Sequence, residues 1–261
     1  YFEKYDTDYV LLDAEIMPWN LKAKELISSQ YAHVSENAIL DRTMLKEKIA
    51  EAARENMELK GWLEEYEQKL ENAYTFKEVF QKYCWEIEDI NSIQIAPFHV
   101  LAHSNETFFD QPHTWHMEMN RNFAKCSHLF VETEYKVISD EASEEEVIKW
   151  WQDITSEGYE GIVIKPEFYI SRNKGKLLQP AIKVRGRKYL NIIYGMDYLL
   201  PKNLERLKSR NTGKKQKLAL REFSLGIEGI QRYVKGESIE RVHECVLGTL
   251  AMESDPVDPR L

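Results

Sequence analysis

The sequence predicts an α+β fold, and three observations carry that expectation. Apolar, β-type runs occur at Tyr9–Met17, Ser92–Ala102 and Leu129–Ile138, and again around Glu160–Lys165 and Lys183–Arg185. Between the first two runs, from about Leu21 to Ile90, glycine occurs once, at Gly61, and proline is absent, while Ala, Glu, Lys and Leu dominate. After Pro201 the chain turns helical again. Strand-rich and helix-rich stretches are therefore segregated along the chain.

Each element has a local reason. Tyr9–Met17 (YVLLDAEIM) reads as a strand with two acids embedded in it, ended by Pro18-Trp19-Asn20. In the glycine-poor stretch, Ile39, Leu40, Met44, Leu45 and Ile49 fall at helical spacing, as do Leu59, Trp62, Leu63, Tyr66 and Leu70. Thr75-x-x-Glu78 has the form of a capping box and predicts the start of a further helix. Strand character returns at Ser92–Ala102, with Pro97 interrupting it. A helix is predicted from Pro112 to about Lys125, and a strand over Leu129–Ile138. Ser143-x-x-Glu146 predicts the cap of a helix running to about Ile154. Beyond Pro201, Gly213, Gly226, Gly229 and Gly236 read as punctuation between helices, and Asp255–Pro259 as a frayed tail. The organisation expected is a strand-rich core from 1–20 and 91–200, a helical insertion over 21–90 and a C-terminal helical module over 201–261.

Composition narrows the function classes. A chain of 261 residues can bury a sizeable core. No apolar run approaches a membrane span and no secretory signal opens the sequence. Cys84, Cys126 and Cys245 are scattered and form no C-x-x-C pair, which predicts reduced thiols in a cytoplasmic protein and argues against structural zinc. The net charge of −9 hides an asymmetry. From Gly161 to Lys235 there are 18 Lys and Arg against 5 Asp and Glu, a balance of +13, while the remainder carries −22. Such a block attracts a polyanion in a salt-sensitive way. The Lys214-Lys215-Gln216-Lys217 cluster alone fits a solvated helical face equally well.

The chemistry is concentrated in two short runs. Glu160-Gly161-Ile162-Val163-Ile164-Lys165 sets an acid and a base at opposite ends of a β-type segment. After seventeen intervening residues, Lys183-Val184-Arg185 sets two cations on one face, because strand side chains two apart point the same way. One carboxylate and three cations suit a nucleotide phosphate and a divalent metal. Glu160 and Lys165 fall on opposite faces if the strand is regular, and a turn or bulge at Gly161 changes that. Asp13 and Glu15 share a face of their strand; burying both in a dry core is costly, so they are expected to line a cleft and bind ribose hydroxyls or metal. An exposed edge strand with ordinary acids, and a basic edge that discourages aggregation, are the plainer alternatives for the two pairs. Ile95–Leu101 offers Phe98 as an aromatic plate for a purine, or as core. His113 and His116, three apart on one helix face, lack a third ligand at suggestive spacing, so helix packing or an indirect role is expected of them rather than zinc.

These runs resemble the motifs of the covalent nucleotidyltransferases, the superfamily of nucleic-acid ligases and mRNA capping enzymes. Asp13-Ala14-Glu15 resembles the D-G-E motif, with Ala14 in place of the glycine. Phe98 lies where that superfamily stacks an aromatic residue on the base, and the Glu160 and Lys183 runs resemble its last two core motifs. Leu11–Asn20, Ala96–Met117, Glu160–Pro166 and Gln179–Gly195 together look like the ligase (adenylyltransferase) domain of bacterial polynucleotide kinase-phosphatase, an RNA-repair protein. The resemblance implies an antiparallel nucleotidyltransferase core of the ATP-grasp-like ligase type with helical additions. It implies ATP or AMP and Mg²⁺ or Mn²⁺ as cofactors, and RNA as the substrate. The roles it implies are phosphate and catalytic contacts from Lys183, Arg185 and Lys165, nucleotide contacts from Glu15, Phe98 and Glu160, and metal or ribose contacts from Glu160, Glu15 and Asp13.

One departure stands out. The superfamily makes a lysyl-nucleotide through a K-x-D-G or K-x-x-G motif upstream of the D-G-E motif. No such motif precedes Asp13; Lys4 is followed by Tyr5-Asp6-Thr7, and Lys60-Gly61 lies in the wrong order. The expectation is therefore a C-terminal piece of the ligase domain, inactive alone, with the kinase and phosphatase modules also missing. The resemblance further implies an RNA 3′-terminal 2′-O-methyltransferase partner in an oligomeric complex, so a non-catalytic docking module for that partner is the rival. A DNA ligase or capping guanylyltransferase fragment is the enzymatic alternative; those usually carry a downstream β-barrel, where this sequence reads helical.

Overall fold

The computed structural model describes residues 1–210 and 213–252, with the side chains of Lys22, Leu26 and Ser28 outside that description. The Asp255–Pro259 tail expectation lies outside the described residues. The fold is α+β with small antiparallel sheets. After a short helix α1 (Phe2–Tyr5), β1 (Val10–Met17) pairs antiparallel with β2 (Gln94–His103), which pairs in turn with β3 (Glu106–Thr107). A second sheet joins β4 (Gly161–Ile164) to β7 (Ile182–Arg185), and a hairpin of β5 (Arg172–Asn173) and β6 (Lys176–Leu177) lies between them in sequence.

Pro97 does not interrupt β2 as the sequence suggested. The strand runs through it, and the register slips twice, once on each side of the Leu12–Val100 and Asp13–His99 pairs. Phe98 and Leu101 are left as the extra residues, so β2 bends there while keeping its pairing. The strand expected over Leu129–Ile138 is absent. Only an isolated parallel bridge forms, Ile95 to Phe130. Pro97 has no N–H to extend that ladder, and its carbonyl is taken by the Asn120 and Thr133 side chains.

The segment from Trp19 to Gln81 is helical: α2 (Trp19–Ile27), a π turn, then α3 (His33–Ala53) and α4 (Lys60–Gln81). Thr75 does not start a new helix, because α4 runs through it unbroken. Phe76, Val79 and Phe80 of α4 are buried against Tyr189 and Ile192 of α7 (Arg187–Tyr194) and against Met196, with Trp19, Tyr31 and Tyr83 around them. The helical stretch thus packs its aromatic stripe onto the helix that directly follows β7. Arg42 of α3 spans the same junction, pairing with Asp197 at 2.7 Å and bonding the Lys69 carbonyl. A second core, Val100, Phe108 and Met119, lies under the first sheet and α5 (His113–Cys126).

α6 (Glu141–Ser156) starts three residues earlier than a cap at Ser143 would place it. Asp140 is the N-cap, and Ser143 is its reciprocal partner, with Ser143 N–H donating to Asp140 at 2.8 Å and Asp140 N–H donating back to the Ser143 hydroxyl. The cap chemistry is Asp-x-x-Ser, not Ser-x-x-Glu. Beyond Pro201 come α8 (Pro201–Lys208), α9 (Gly213–Val234) and α10 (Ile239–Met252). Gly226 and Gly229 sit inside α9 and break nothing. A Cβ on Gly229 would stand 3.2 Å from Cys245 Cβ, so this glycine serves the close approach of α9 and α10. Gly236, at φ 69°, does end a helix as expected.

Candidate functional site

The site lies where the two sheets meet. On the first sheet, Asp13 pairs in register with His99. Their side chains bond directly, Asp13 Oδ2 to His99 Nδ1 at 2.8 Å. Neighbouring residues across an antiparallel pair share a face, so β1 presents its carboxylate to the imidazole that β2 supplies. His99 is buried, and its other nitrogen, Nε2, lies 2.9 Å from Lys165 Nζ and 3.2 Å from His113 Nδ1. Lys165 follows β4 directly, so this contact is the bridge between the sheets.

The charge states follow from these distances. The bond from His99 holds the Asp13 carboxyl below its ordinary range against the opposing effect of burial, with Lys165 and Lys183 adding attraction. Burial lowers the His99 basicity. A neutral imidazole that donates from Nδ1 to Asp13 and accepts at Nε2 from Lys165 satisfies all three groups. Burial brings Lys165 down to about 8, with Asp13 pulling the other way. His113 falls to about 3 and His116 to about 4, both mainly through burial. His116 is fully enclosed, and its Nδ1 accepts from the Val100 amide at 3.3 Å. His113 Nε2 is buried with no partner.

The second cluster is built on β4 and β7. Gly161 pairs with Arg185 and Val163 with Lys183, so Lys183 and Arg185 share one face. Both reach Glu160, Arg185 Nε at 2.9 Å and Lys183 Nζ at 3.6 Å. Gly161 makes this possible. Its φ is 128°, and a Cβ there would stand 2.1 Å from the Val184 carbonyl oxygen. Only glycine lets the chain turn so that Glu160 faces the β7 cations while Lys165 turns to His99. Trp151 of α6 braces β7 from behind, donating from Nε1 to the Val184 carbonyl at 2.8 Å.

The structure brings the sequence-derived candidates together in two linked groups. Asp13 and Lys165 meet through His99; Glu160, Lys183 and Arg185 meet directly; and the charge of Lys183 reaches Asp13. Glu15 lies on the Glu160 side: burial, then the charge of Glu160 and with it that of Glu15, raise the phenols of Tyr83 and Tyr189. Phe98 is half-buried with its ring centroid 5.7 Å from Lys165 Nζ. Among the described residues no group of three or more His, Cys, Asp and Glu side chains is arranged to hold a metal.

Two features escaped the sequence. His99 is the hub of the first cluster, and its only linear signal was its place beside Phe98. Tyr169 closes over the histidines, with its ring 5.0 Å from His99, 6.0 Å from His113 and 5.9 Å from His116. It comes from the connection between β4 and β7, where nothing in the sequence marked it.

A family model described as PNKP adenylyltransferase domain, ligase domain, matches residues 1–256. A search of curated proteins found no match.

Proposed function

Because the chain belongs to the family of PNKP adenylyltransferase (ligase) domains, we propose that it forms the nucleotide-handling part of an ATP-dependent RNA-sealing enzyme. The observation that carries this is the convergence of Asp13, Lys165, Glu160, Lys183 and Arg185 on one junction of two sheets. In the complete reaction a lysine amine displaces pyrophosphate from ATP and becomes linked to AMP. AMP then passes to the RNA 5′-phosphate, and the 3′-hydroxyl at the break attacks that phosphate and releases AMP. Lys183 and Arg185 hold the phosphate and stabilise the charge that develops on it, with Lys165 assisting. Phe98 stacks on the adenine. Family membership implies a divalent cation of the Mg²⁺ or Mn²⁺ kind; carboxylate oxygens of Glu160, Glu15 and Asp13 would reach it singly, with phosphate and water completing it, since the described residues bring no three such side chains together. Such an ion would supply charge neutralisation at the phosphates.

The sequence contains no K-x-D-G upstream of Asp13, so this chain alone should not become adenylylated. Incubating it with α-labelled ATP and Mg²⁺, beside the full-length protein, tests both halves. The expected result is a labelled, denaturation-resistant band from the full-length protein only. A labelled chain would overturn the proposed inactivity, and an unlabelled full-length protein the ligase assignment.

A second reading, docking of an RNA 3′-terminal 2′-O-methyltransferase partner in a larger complex, draws on the helical stretch. Although Phe76 and Phe80 are consumed by the core, Leu40, Met44, Met57, Trp62 and Tyr74 are all more than half exposed. Trp62→Ser with Met44→Ser should weaken pull-down of the partner without changing RNA binding. Unchanged capture would remove this reading. The family match over residues 1–256, which takes in α8–α10, favours this ligase family over a DNA ligase or capping enzyme. No helix among the described residues is long and apolar enough to cross a membrane. The three free cysteines fit a reducing, cytoplasmic setting.

A further inference from the structure

The connection between β4 and β7 does more than cover the histidines. It runs from Lys165 to Lys183, the two cations that flank the site, and its middle is the β5–β6 hairpin. Lys174 and Gly175 form the two-residue turn, with φ of 50° and 77°. Positive φ at both central positions is the type I′ geometry that matches the twist of a hairpin. Arg172, Asn173, Lys174, Gly175 and Lys176 are all exposed. Arg172 pairs across the ladder with Leu177, and Asn173 with Lys176. Arg172 and Lys176 therefore leave from opposite faces, and Lys174 stands at the tip between them. None of the three cations belongs to an ion pair among the described residues. Arg172 only leans toward the Gly175 carbonyl, at 3.5 Å. Arg42, Arg121 and Arg232, by contrast, are committed to Asp197, Glu132 and Glu228.

The hairpin is also held firmly at its root. The His113 amide donates to the Glu167 carbonyl at 2.8 Å, and Phe168 forms a bridge with Pro112. Tyr169 packs between Phe109 and Phe223 of α9, both at 5.3 Å between centroids, and against His99. Leu178 N–H donates to the Ser171 carbonyl at 2.8 Å, closing the neck. A surface finger on a floppy loop would lose much of its binding to ordering; one braced against the site's own histidines does not.

We propose that the Arg172–Leu177 hairpin grips the backbone phosphates of the RNA strand beside the break. This rests on the ligase reading for the choice of ligand, and it names the contact that seats the substrate rather than the nucleotide. Lys174 lies nine positions from Lys165 and nine from Lys183, so the tip reaches at most ~30 Å from the phosphate-facing cations. Three cations carried on that arm, at its tip and on either face, with no ion pair among the described residues, meet phosphates of a strand whose terminal phosphate lies at Lys183 and Arg185. Acidic protein partners would meet the same charge without the register to the site, and they are separated from RNA by the test.

The experiment is equilibrium binding of a 5′-phosphorylated RNA to the full-length protein, without ATP, at several salt concentrations. The variant is Arg172→Gln, Lys174→Asn, Lys176→Gln, which keeps Gly175 and puts asparagine where the turn needs positive φ. The expected result is a Kd raised about tenfold or more, with the slope of log K against log salt reduced by about two to three. A charge-keeping variant, Arg172→Lys with Lys176→Arg, should bind like the wild type. Neutralising Lys202 and Lys208 of α8 instead should change Kd less than threefold. The proposal is overturned if the hairpin variant binds RNA within twofold of wild type with an unchanged slope. It is also overturned if the α8 variant loses as much, since bulk charge would then suffice. Because binding is read without ATP, a wild-type protein that binds RNA but never forms the lysyl-AMP adduct sinks the ligase assignment and leaves the grip standing; an adduct-forming protein whose hairpin variant binds normally sinks the grip alone.

Discussion

Lys165 Nζ lies 2.9 Å from His99 Nε2, and through His99 it is tied to Asp13. This contact joins the sheet that carries β1 and β2 to the sheet that carries β4 and β7. It also explains why a lysine beside a carboxylate has its basicity lowered: Asp13 favours the ammonium, but burial outweighs it and leaves Lys165 at about 8.

A lysine at about 8 gives adenylylation by the full-length protein an alkaline limb, because the ammonium that faces phosphate is lost as the pH rises through that value. The unfolded chain holds this proton to higher pH, so the burden of burying the ammonium also eases between about 8 and the ordinary lysine range near 10.4. Lys165→Arg keeps its charge and should remove the limb from single-turnover rates measured between pH 7 and 9.5. An identical decline in that variant would assign the limb to another group.

His116 is enclosed and neutral, with its basicity lowered to about 4 mainly by burial. The unfolded chain takes up this proton near pH 6.5 and the folded one only near 4. Stability should therefore fall as the pH drops through that window, by about 1.4 kcal/mol per pH unit for this one group at full slope. Urea unfolding at pH 7 and pH 5 measures it. His116→Asn should lessen the dependence, with His113 and His99, whose basicity burial also lowers, keeping the rest, and an unchanged difference would contradict the assignment.

Gly161→Ala should be severe. The residue would need φ of 128° with its Cβ 2.1 Å from the Val184 oxygen, which amounts to a cost of about 3 kcal/mol or more. Either the protein loses that stability in denaturant titrations, or β4 and β7 separate and adenylylation goes with them. A variant within 1 kcal/mol of wild type that stays active would show that Glu160 needs no special turn.

Arg42 and Asp197 fasten the helical stretch to the segment after α7, with side chains 15% and 23% exposed. Asn72 also donates to Asp197, at 3.1 Å. A double-mutant cycle with Arg42→Met and Asp197→Asn should return a coupling of about 1.5–3 kcal/mol, as for hydrogen bonds to charged groups. Zero coupling would mean the module is held by Phe76, Phe80 and Tyr189 alone.

Much of this was legible in the sequence because it depended on neighbours. The two-residue spacing of Lys183 and Arg185 gives a shared face on any strand, and the β1 and α5 runs carry their own periodicity. The register of β1 on β2 did not show in the sequence. Which residue faces Asp13 depends on two bulges, at Phe98 and Leu101, and so His99 stayed hidden although it stands one residue from a site candidate. The Leu129–Ile138 run has strand composition but meets a proline that cannot donate to it, a fact about its neighbour rather than itself. Gly226 and Gly229 looked like breaks because glycine is a poor helix former; α9 runs through both, and the reason for Gly229 is Cys245 of the helix packed against it.

The central claim is that Lys183, Arg185 and Glu160 form one phosphate-handling unit. The most direct measurement is the rate of lysyl-AMP formation by full-length protein carrying Lys183→Ala or Arg185→Ala, with the fold checked by circular dichroism. Each substitution removes a charge-assisted contact of about 1.5–3 kcal/mol, so a loss of roughly 10- to 150-fold with an unaltered fold is expected. Rates within twofold of wild type would contradict the claim and leave the pair as a basic strand edge.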